Sequence, residues 1–127
     1  MPVTWIVDGN NVMGSRPDGW WRDRAGAAGR LVDEIDRWGG DGHDVVVVFD
    51  GAPHDAVAAR GRAGLEVRFA PGGRDSADDH IVDLVEARAA AGAAGDLVVV
   101  TADRGLAARL PGGVAVEGPR RFLDRLA

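Results

Sequence analysis

The fold is indicated first by Val3-Thr4-Trp5-Ile6-Val7-Asp8, an apolar run that ends in an acid. The same pattern occurs at Val45-Val46-Val47-Val48-Phe49-Asp50 and at Leu97-Val98-Val99-Val100-Thr101-Ala102-Asp103. Short apolar runs rich in β-branched residues are typical of buried strands. Because the segments between them carry helical spacing, the sequence predicts an α/β protein whose parallel sheet is flanked by helices.

The other elements are predicted from apolar spacing, turn residues and caps. A helix is expected from about Trp21 to Trp38, and Gly39-Gly40-Asp41-Gly42 is expected to end it. Ser76 is the expected N-cap of a helix over Ala77 to Ala91. The remaining predicted elements are a helix at His54 to Arg62, a strand at Leu65 to Ala70, a helix at Asp103 to Leu110, a strand at Val114 to Val116 and a helix after Pro119.

Length and composition predict a single domain over residues 1–127. The chain has 127 residues, of which 46% are hydrophobic, and this is enough for one core. No apolar run approaches the roughly 20 residues of a membrane span, and no basic region followed by an apolar stretch begins the chain, so we expect a cytoplasmic location. The absence of cysteine excludes disulfides, thiolate zinc sites and cysteine nucleophiles.

Charge alone argues neither for nor against a nucleic-acid partner. The formal net charge is −5, which is unusual for a protein that binds a polyanion, but acids that belong to a metal site would account for part of it. All 15 basic residues are arginine, and the chain is also rich in Ala, Gly and Val. This composition is typical of a GC-rich coding bias, so the positions of the arginines matter more than their number.

Acidic residues follow three of the predicted strands. Asp8, Asp50 and Asp103 each end an apolar run, and Asp75-Ser76-Ala77-Asp78-Asp79 opens a helix. Because ligands bind at the carboxyl ends of the strands in an open α/β sheet, we expect these acids to converge there. Each acid taken singly could instead be a loop residue or a helix cap. As a group they predict a site for Mg2+ or Mn2+, which prefer oxygen ligands and serve phosphodiester or phosphoryl chemistry.

Helical geometry distinguishes two neighbouring acids in this cluster. At about 100° per residue, the apolar residues Ile81, Val82 and Val85 form an arc centred near the direction of Asp78. Asp79 lies on the side that faces water. An unpaired buried carboxylate is costly, so Asp78 is expected to have a partner, and a metal ion is a good candidate.

The motifs carry a resemblance to a known family. Four motifs together resemble the NYN domain of the PIN-like superfamily, in particular the YacP-like group. They are Ile6-Val7-Asp8-Gly9-Asn10-Asn11, Val47-Val48-Phe49-Asp50-Gly51, Asp75-Ser76-Ala77-Asp78-Asp79 and Val99-Val100-Thr101-Ala102-Asp103-Arg104. The resemblance runs from Val3 to about Leu110. It implies a Rossmann-like sheet of order 3-2-1-4-5 and metal-dependent cleavage of RNA.

The same resemblance implies roles for individual residues. Asp8, Asp78 and Asp103 match the acidic positions of the family and are the predicted catalytic and metal-binding acids, with Asn11 as a further catalytic residue. Asp50 and Asp75 are predicted metal ligands, acting directly or through water. Relatives commonly carry Glu-Thr-Ala-Asp where this chain has Asp75-Ser76-Ala77-Asp78, which is a conservative departure.

Candidate RNA contacts are arginines and tryptophans near the predicted catalytic loops. Aromatic rings interleaved with arginines can stack on unpaired bases and bind phosphates, although one tryptophan could equally pack a helix onto the sheet. The expected partner is RNA, whether mRNA, tRNA or ribosome-associated RNA. The predicted RNA-binding residues are Arg16, Trp20, Trp21, Arg22, Arg74 and Arg104. Arg120, Arg121 and Arg125 are interpreted as an ordinary solvated helix face.

Three other protein classes compete with this interpretation. A phosphatase of the haloacid dehalogenase type would need an acid two residues after Asp8, where this chain has Asn10. A dinucleotide-binding domain would need Gly-x-Gly-x-x-Gly, and the chain has Gly9-Asn10-Asn11-Val12-Met13-Gly14. The main alternative is a non-catalytic RNA-binding or ribosome-associated module of the PIN-like type, with a weak metal site and no turnover.

Overall fold

A single parallel sheet organises the protein, seen here in a computed structural model that describes residues 3–39, 42–73 and 75–127. Its strands are β1 (Thr4–Asp8), β2 (Asp44–Asp50), β3 (Leu65–Ala70), β4 (Leu97–Val100) and β5 (Ala115–Glu117). All pairs are parallel and the order is β3-β2-β1-β4-β5, as predicted. Asp8 pairs with Val48 of β2, so the first acid lies near the carboxyl end of the neighbouring strand.

Helices connect the strands, and their bounds differ from the predicted ones at several ends. They are α1 (Gly9–Gly14), α2 (Arg24–Trp38), α3 (Asp55–Ala58), α4 (Ser76–Ala90), α5 (Arg104–Ala108) and α6 (Pro119–Leu126). The sequence interpretation left α1 out, and α3 is shorter than the helix predicted there. Gly40 and Asp41 of the predicted helix stop lie outside the described residues. None of the described helices is both long and apolar enough to cross a bilayer.

The core has two layers because successive strand residues point to opposite faces of the sheet. On one face, Val7, Val47 and neighbouring residues pack against α1, α2 and α6. On the other face, Ile6 and Val46 pack against Ile81 of α4 and the buried residues around it. The central strands are buried on both faces, which explains their continuous apolar sequence.

Three aromatic rings fix α6 against the sheet and α2. Phe122 of α6 is fully buried, and its ring centroid lies 5.6 Å from both the Trp5 ring of β1 and the Trp38 ring of α2. The Trp5 and Trp38 rings meet edge to face at 5.4 Å. Aromatic pairs at these separations contribute about 0.5–1.5 kcal/mol each beyond their buried area. The beginning of α6 is therefore held in place by contacts one turn further along the helix.

Helix α1 begins directly after β1 because Gly9 carries no side chain. A Cβ at this position would lie 2.5 Å from a ring carbon of Phe49 and 2.9 Å from the carbonyl oxygen of Val48. Both neighbours belong to β2 and are themselves packed in the core. Only glycine lets α1 approach the sheet this closely, and the next two residues are thereby placed at the carboxyl ends of the strands.

Replacing Gly9 with alanine is expected to lower the free energy of unfolding by about 1–3 kcal/mol, since overpacking a dense core forces neighbours to move. Urea unfolding followed by circular dichroism measures this change. Gly95→Ala is the matched control, because a Cβ there has no atom within 4 Å. Equal stability of Gly9→Ala and the wild type would contradict the packing argument.

Candidate active site

Five aspartates line one cleft of about 520 Å³ at the carboxyl edge of the sheet. Two of them end β1 and β2, two lie at the beginning of α4, and one precedes α5. They are Asp8, Asp50, Asp75, Asp78 and Asp103. The structure therefore brings together all five acids that the sequence interpretation assigned to a metal site. No arginine or histidine is among the described residues that line this cleft.

Asp8 is the most buried of these acids, with only 6% of its surface exposed. Its Oδ2 accepts a hydrogen bond from the Thr101 hydroxyl at 2.9 Å. Burial raises the pKa of Asp8 to about 6, the hydrogen bond from Thr101 opposes this rise, and the nearby charge of Asp78 adds to it. A buried carboxylate that is not paired with a cation is unstable as an anion, so this site favours a positive ligand.

Thr101 links two of the acids, and it was not among the predicted site residues. Its buried hydroxyl oxygen also accepts the backbone N–H of Asp103 at 3.1 Å. Oδ1 of Asp103 in turn accepts the backbone N–H of Leu106 at 3.1 Å and so caps α5. Because the threonine hydroxyl accepts from Asp103 and donates to Asp8, it fixes the orientation of the Asp8 carboxylate. The signal in the sequence was a lone hydroxyl near the end of an apolar strand, which equally fits an ordinary strand residue.

The two neighbouring acids of α4 have the different environments that helical geometry predicts. Asp78 is half-buried and lines the cleft. Burial and the charges of Asp103, Asp75 and Asp50 raise the pKa of Asp78, whereas Arg109 opposes the rise. The Asp79 side chain is 63% exposed and pairs with Arg109 at 2.8 Å. Asp79 is therefore already paired at the surface, whereas the charged side chains described as lining the cleft around Asp78 are all carboxylates.

Two asparagines of α1 stand between the strand ends. Oδ1 of Asn10 accepts the backbone N–H of Asp50 at 2.7 Å, and Oδ1 of Asn11 accepts the backbone N–H of Ala102 at 2.8 Å. Because a backbone N–H can only donate, these bonds determine which amide atom is oxygen. Neither Nδ2 has a protein partner among the described residues, so both amides keep donors for a ligand. Asn10 was not in the predicted set, although it belongs to the quoted Asp-Gly-Asn-Asn motif.

The two remaining acids lie at the rim of the cleft. Asp50 and Asp75 are exposed to solvent. The backbone of Asp75 is left-handed, with φ 69° and ψ 3°, a conformation that aspartate tolerates better than most residues. This conformation ends the turn before α4. The helix begins one residue earlier than predicted, at Ser76, so the prediction of Ser76 as N-cap is wrong and Asp75 occupies that position.

The donor chemistry of the cleft fits a hard divalent cation. Mg2+ and Mn2+ take carboxylate, amide and water oxygens, and the cleft offers carboxylates on every side. Within residues 3–39, 42–73 and 75–127, no three acidic or histidine side chains already form a ready-made ligand set. Carboxylates without a counter-ion repel one another, and a bound cation would remove this repulsion.

The predicted RNA-binding residues are only partly brought together. Arg16 forms a two-fold ion pair with Glu34, both contacts at 2.7 Å, so its charge is already paired and two of its five N–H donors are occupied. Trp20 packs partly against the core, while Trp21 is 56% exposed and lies beneath the Arg22 guanidinium at 5.9 Å. Arg104 is exposed at the first position of α5, next to Asp103. Arg74 lies outside the described residues.

A second and larger cavity, of about 650 Å³, adjoins the acidic cleft. Asn10 and Asn11 line both spaces. The far wall of the larger cavity includes Arg120 and Arg121 at the beginning of α6. Arg120 and Arg121 are exposed, as their interpretation as a solvated helix face predicts, and the parallel pairing of β5 with β4 brings the N-terminal end of α6 to the same edge of the sheet as the acids.

Comparison with known proteins agrees with this architecture. No known family profile matches the chain, and no curated protein matches it. A solved structure of Rae1 (YacP) from Bacillus subtilis, a tryptophan-to-leucine mutant, is similar with a TM-score of 0.73 and 25% sequence identity. The match covers 98% of this chain and 74% of that one. The chain has a YacP-like fold. The sequence motifs and the fold thus both resemble the YacP-like group.

Burial of Asp8 predicts a pH-dependent stability difference between the wild type and Asp8→Asn in EDTA. An acid whose pKa rises from 3.8 to about 6 on folding binds its proton more tightly when folded, so the wild type loses stability as the pH rises through that interval. The shift corresponds to about 3 kcal/mol. Asparagine does not titrate, so the advantage of Asp8→Asn over the wild type should grow by this order between pH 4 and pH 7.

Urea unfolding at several pH values measures this difference, because the groups remote from Asp8 titrate alike in the two proteins and cancel in the comparison. Asp79→Asn is the control, since that acid is exposed and ion-paired. A stability difference between Asp8→Asn and the wild type that is independent of pH would show that Asp8 does not carry the expected desolvation cost.

Proposed function

We propose that this protein is a metal-dependent ribonuclease, specifically an endoribonuclease that hydrolyses phosphodiester bonds of RNA. The observation that carries the proposal is the cleft itself, where five carboxylates from separate parts of the chain meet without a cationic side chain among the described lining residues. The YacP-like fold and the resemblance of the motifs to the NYN domain support the same assignment. They also favour RNA as the polymer.

The metal-binding residues in this proposal are Asp8, Asp78 and Asp103, with Asp50 and Asp75 at the rim acting directly or through water. Mg2+ or Mn2+ held there supplies an activated water molecule and neutralises charge on the phosphate. No side-chain nucleophile is required. The three central acids come from β1, α4 and the loop before α5, so the correct fold is a condition for the site.

The protein's own contribution to catalysis is mainly orientation. Thr101 fixes Asp8 through its hydroxyl, and the backbone N–H of Asp103 fixes Thr101. Asn11 is held at its Oδ1 by Ala102 and presents Nδ2 as a donor for a phosphate oxygen or a water molecule. Asn10 is held in the same way by Asp50. Groups that are oriented before the substrate arrives lose little entropy when they bind it.

Electrostatics makes RNA binding in the cleft conditional on the cation. A cluster of carboxylates repels a polyanion, and a divalent ion held there would offset part of that charge and offer a coordination position to a phosphate oxygen. Binding and cleavage at this position should therefore be lost together when the metal is removed. This dependence distinguishes the proposal from a non-catalytic RNA-binding module, which would bind RNA without cutting it.

The decisive test is incubation of the purified protein with a mixed RNA pool in Mn2+ or Mg2+, with EDTA as the parallel condition. Internal cleavage products are expected with the metal and none with EDTA, as read on denaturing gels with strands labelled at either end. RNA that remains intact in both ions while still bound would favour the non-catalytic module.

A matched pair of variants distinguishes cleavage by this protein from cleavage by a contaminating nuclease. Asp78→Asn removes a carboxylate from the cleft, whereas Asp79→Asn removes one from the exposed ion pair with Arg109. Cleavage should fall by about 100-fold or more in Asp78→Asn, the order expected when a group that stabilises the transition state is lost. Asp79→Asn should stay close to the wild type. Equal losses in the two variants would refute the assignment of Asp78 to the site.

Metal binding should also reverse the order of stability of the wild type and Asp8→Asn. A ligand that binds only the folded state adds about 2.7 kcal/mol at a concentration one hundred times its dissociation constant. The wild type should gain most of this on addition of Mn2+, and Asp8→Asn should gain clearly less, in thermal melts at pH 7. Identical shifts of wild type and variant in EDTA, Mg2+ and Mn2+ would remove Asp8 from the ligand set.

A further inference from the structure

The larger cavity beside the acidic cleft has features of a ligand site in its own right. Its volume of about 650 Å³ lies within the range of roughly 300–1,000 Å³ that is usual for small-ligand pockets. Its lining includes residues of α1, the Trp20 ring and the beginning of α6. Asn10 and Asn11 form the boundary with the cleft, so a ligand in the cavity is a direct neighbour of a group bound among the acids.

The walls combine an aromatic ring with free positive charge. Trp20 and Pro119 supply apolar surface, and Arg120 and Arg121 supply two guanidinium groups. Neither arginine has an ion-pair partner among the residues that the structure describes. Arg125 on the same helix, in contrast, forms two contacts of 2.9 Å with Glu117. The two arginines nearest the cleft are therefore the ones on α6 that remain available to an anion.

We propose that this cavity binds an unpaired nucleotide of single-stranded RNA, next to the phosphodiester bond that lies in the cleft. The base would pack against Trp20, and Arg120 and Arg121 would hold the adjoining phosphates. The inference rests on the proposed function for the choice of RNA as ligand. It adds a position for the neighbouring nucleotide and a requirement that this nucleotide be unpaired.

Single-stranded RNA is favoured by the charge and by the shape of the site. Phosphates complement the two guanidinium groups, and a base that has left its stack offers an apolar face to a tryptophan ring. A base inside a duplex has both faces covered by its neighbours. It cannot enter a cavity between two helices without being unpaired first.

The test measures RNA binding in Ca2+, a cation that also takes oxygen ligands and offsets the charge of the cleft acids, and a denaturing gel checks that the RNA stays intact. A fluorescein-labelled ten-residue oligouridylate is titrated with the wild type and with the double variant Arg120→Gln/Arg121→Gln, and fluorescence anisotropy is recorded at several salt concentrations. The variant should bind at least about tenfold more weakly. Loss of two phosphate contacts should reduce the slope of log K against log salt by about 1.4, at 0.7 per contact for single strands.

The matched control removes the same charge from another surface. Arg30→Gln/Arg37→Gln changes two exposed arginines of α2 that do not line the cavity. Affinity and salt slope should stay near those of the wild type. Equal weakening by the two double variants, or weakening by neither, would overturn the proposal. So would a wild type that binds no oligouridylate, or one that binds a ten-base-pair RNA duplex as tightly as the single strand.

A second pair of variants tests the aromatic wall. Trp20→Leu keeps an apolar side chain where Trp20 packs against the core but removes the ring, and Trp21→Leu changes the exposed neighbour that does not line the cavity. Only Trp20→Leu should weaken binding, by about fivefold or more, the lower bound for one stacked base. Circular dichroism checks that both variants fold. Equal affinity of Trp20→Leu and Trp21→Leu would refute stacking on Trp20.

Cleavage of the same RNA in Mn2+ separates this inference from the proposed function. If the wild type cleaves RNA and the Arg120→Gln/Arg121→Gln variant binds RNA with wild-type affinity, the cavity proposal fails and the ribonuclease proposal is retained. If the wild type never cleaves but its RNA binding depends on this arginine pair, the ribonuclease proposal fails and the cavity proposal stands.

Discussion

The contact between Gly9 and β2 determines how the rest of the site is arranged. Because no side chain separates α1 from the Phe49 ring and the Val48 carbonyl, the helix begins one residue after Asp8 and lies tightly on the sheet. Asn10 and Asn11 then reach the backbone of β2 at Asp50 and the loop after β4 at Ala102. A single close approach of backbone to sheet thus connects three segments that carry acids.

The acidic cleft is a place where stability and proposed function oppose each other. Burial raises the pKa of Asp8 to about 6, and like charges contribute to the raised pKa of Asp78, so the cluster is costly without a cation. A protein optimised only for stability would remove such carboxylates. Shifted pKa values gathered in one cleft are common at functional sites, and here their causes are burial and mutual repulsion. The hydrogen bond from Thr101 offsets part of the cost at Asp8 while it holds the carboxylate in one orientation.

Much of this architecture could be predicted from the sequence because strands and their terminal acids are local features. The strand Leu65–Ala70 has the predicted bounds, and the different environments of Asp78 and Asp79 follow from helical spacing alone. Helix α1 was missed because its six residues include two glycines and too few apolar positions to show a period. The hydrogen bonds of Thr101 and Asn10 could not be predicted, for another reason. They depend on contacts formed by distant parts of the chain, which no local pattern records.

The aromatic contacts of α6 offer a way in which substitutions in the core could change the larger cavity during evolution. Phe122 is wedged between Trp5 and Trp38, on the same short helix that carries Arg120 and Arg121. The position of the beginning of α6 therefore depends on core side chains that do not line the larger cavity. A smaller or larger residue at one of these core positions would tilt the helix and change the aperture. Selection could in this way adjust the proposed nucleotide site while every residue of the acidic cleft stays the same.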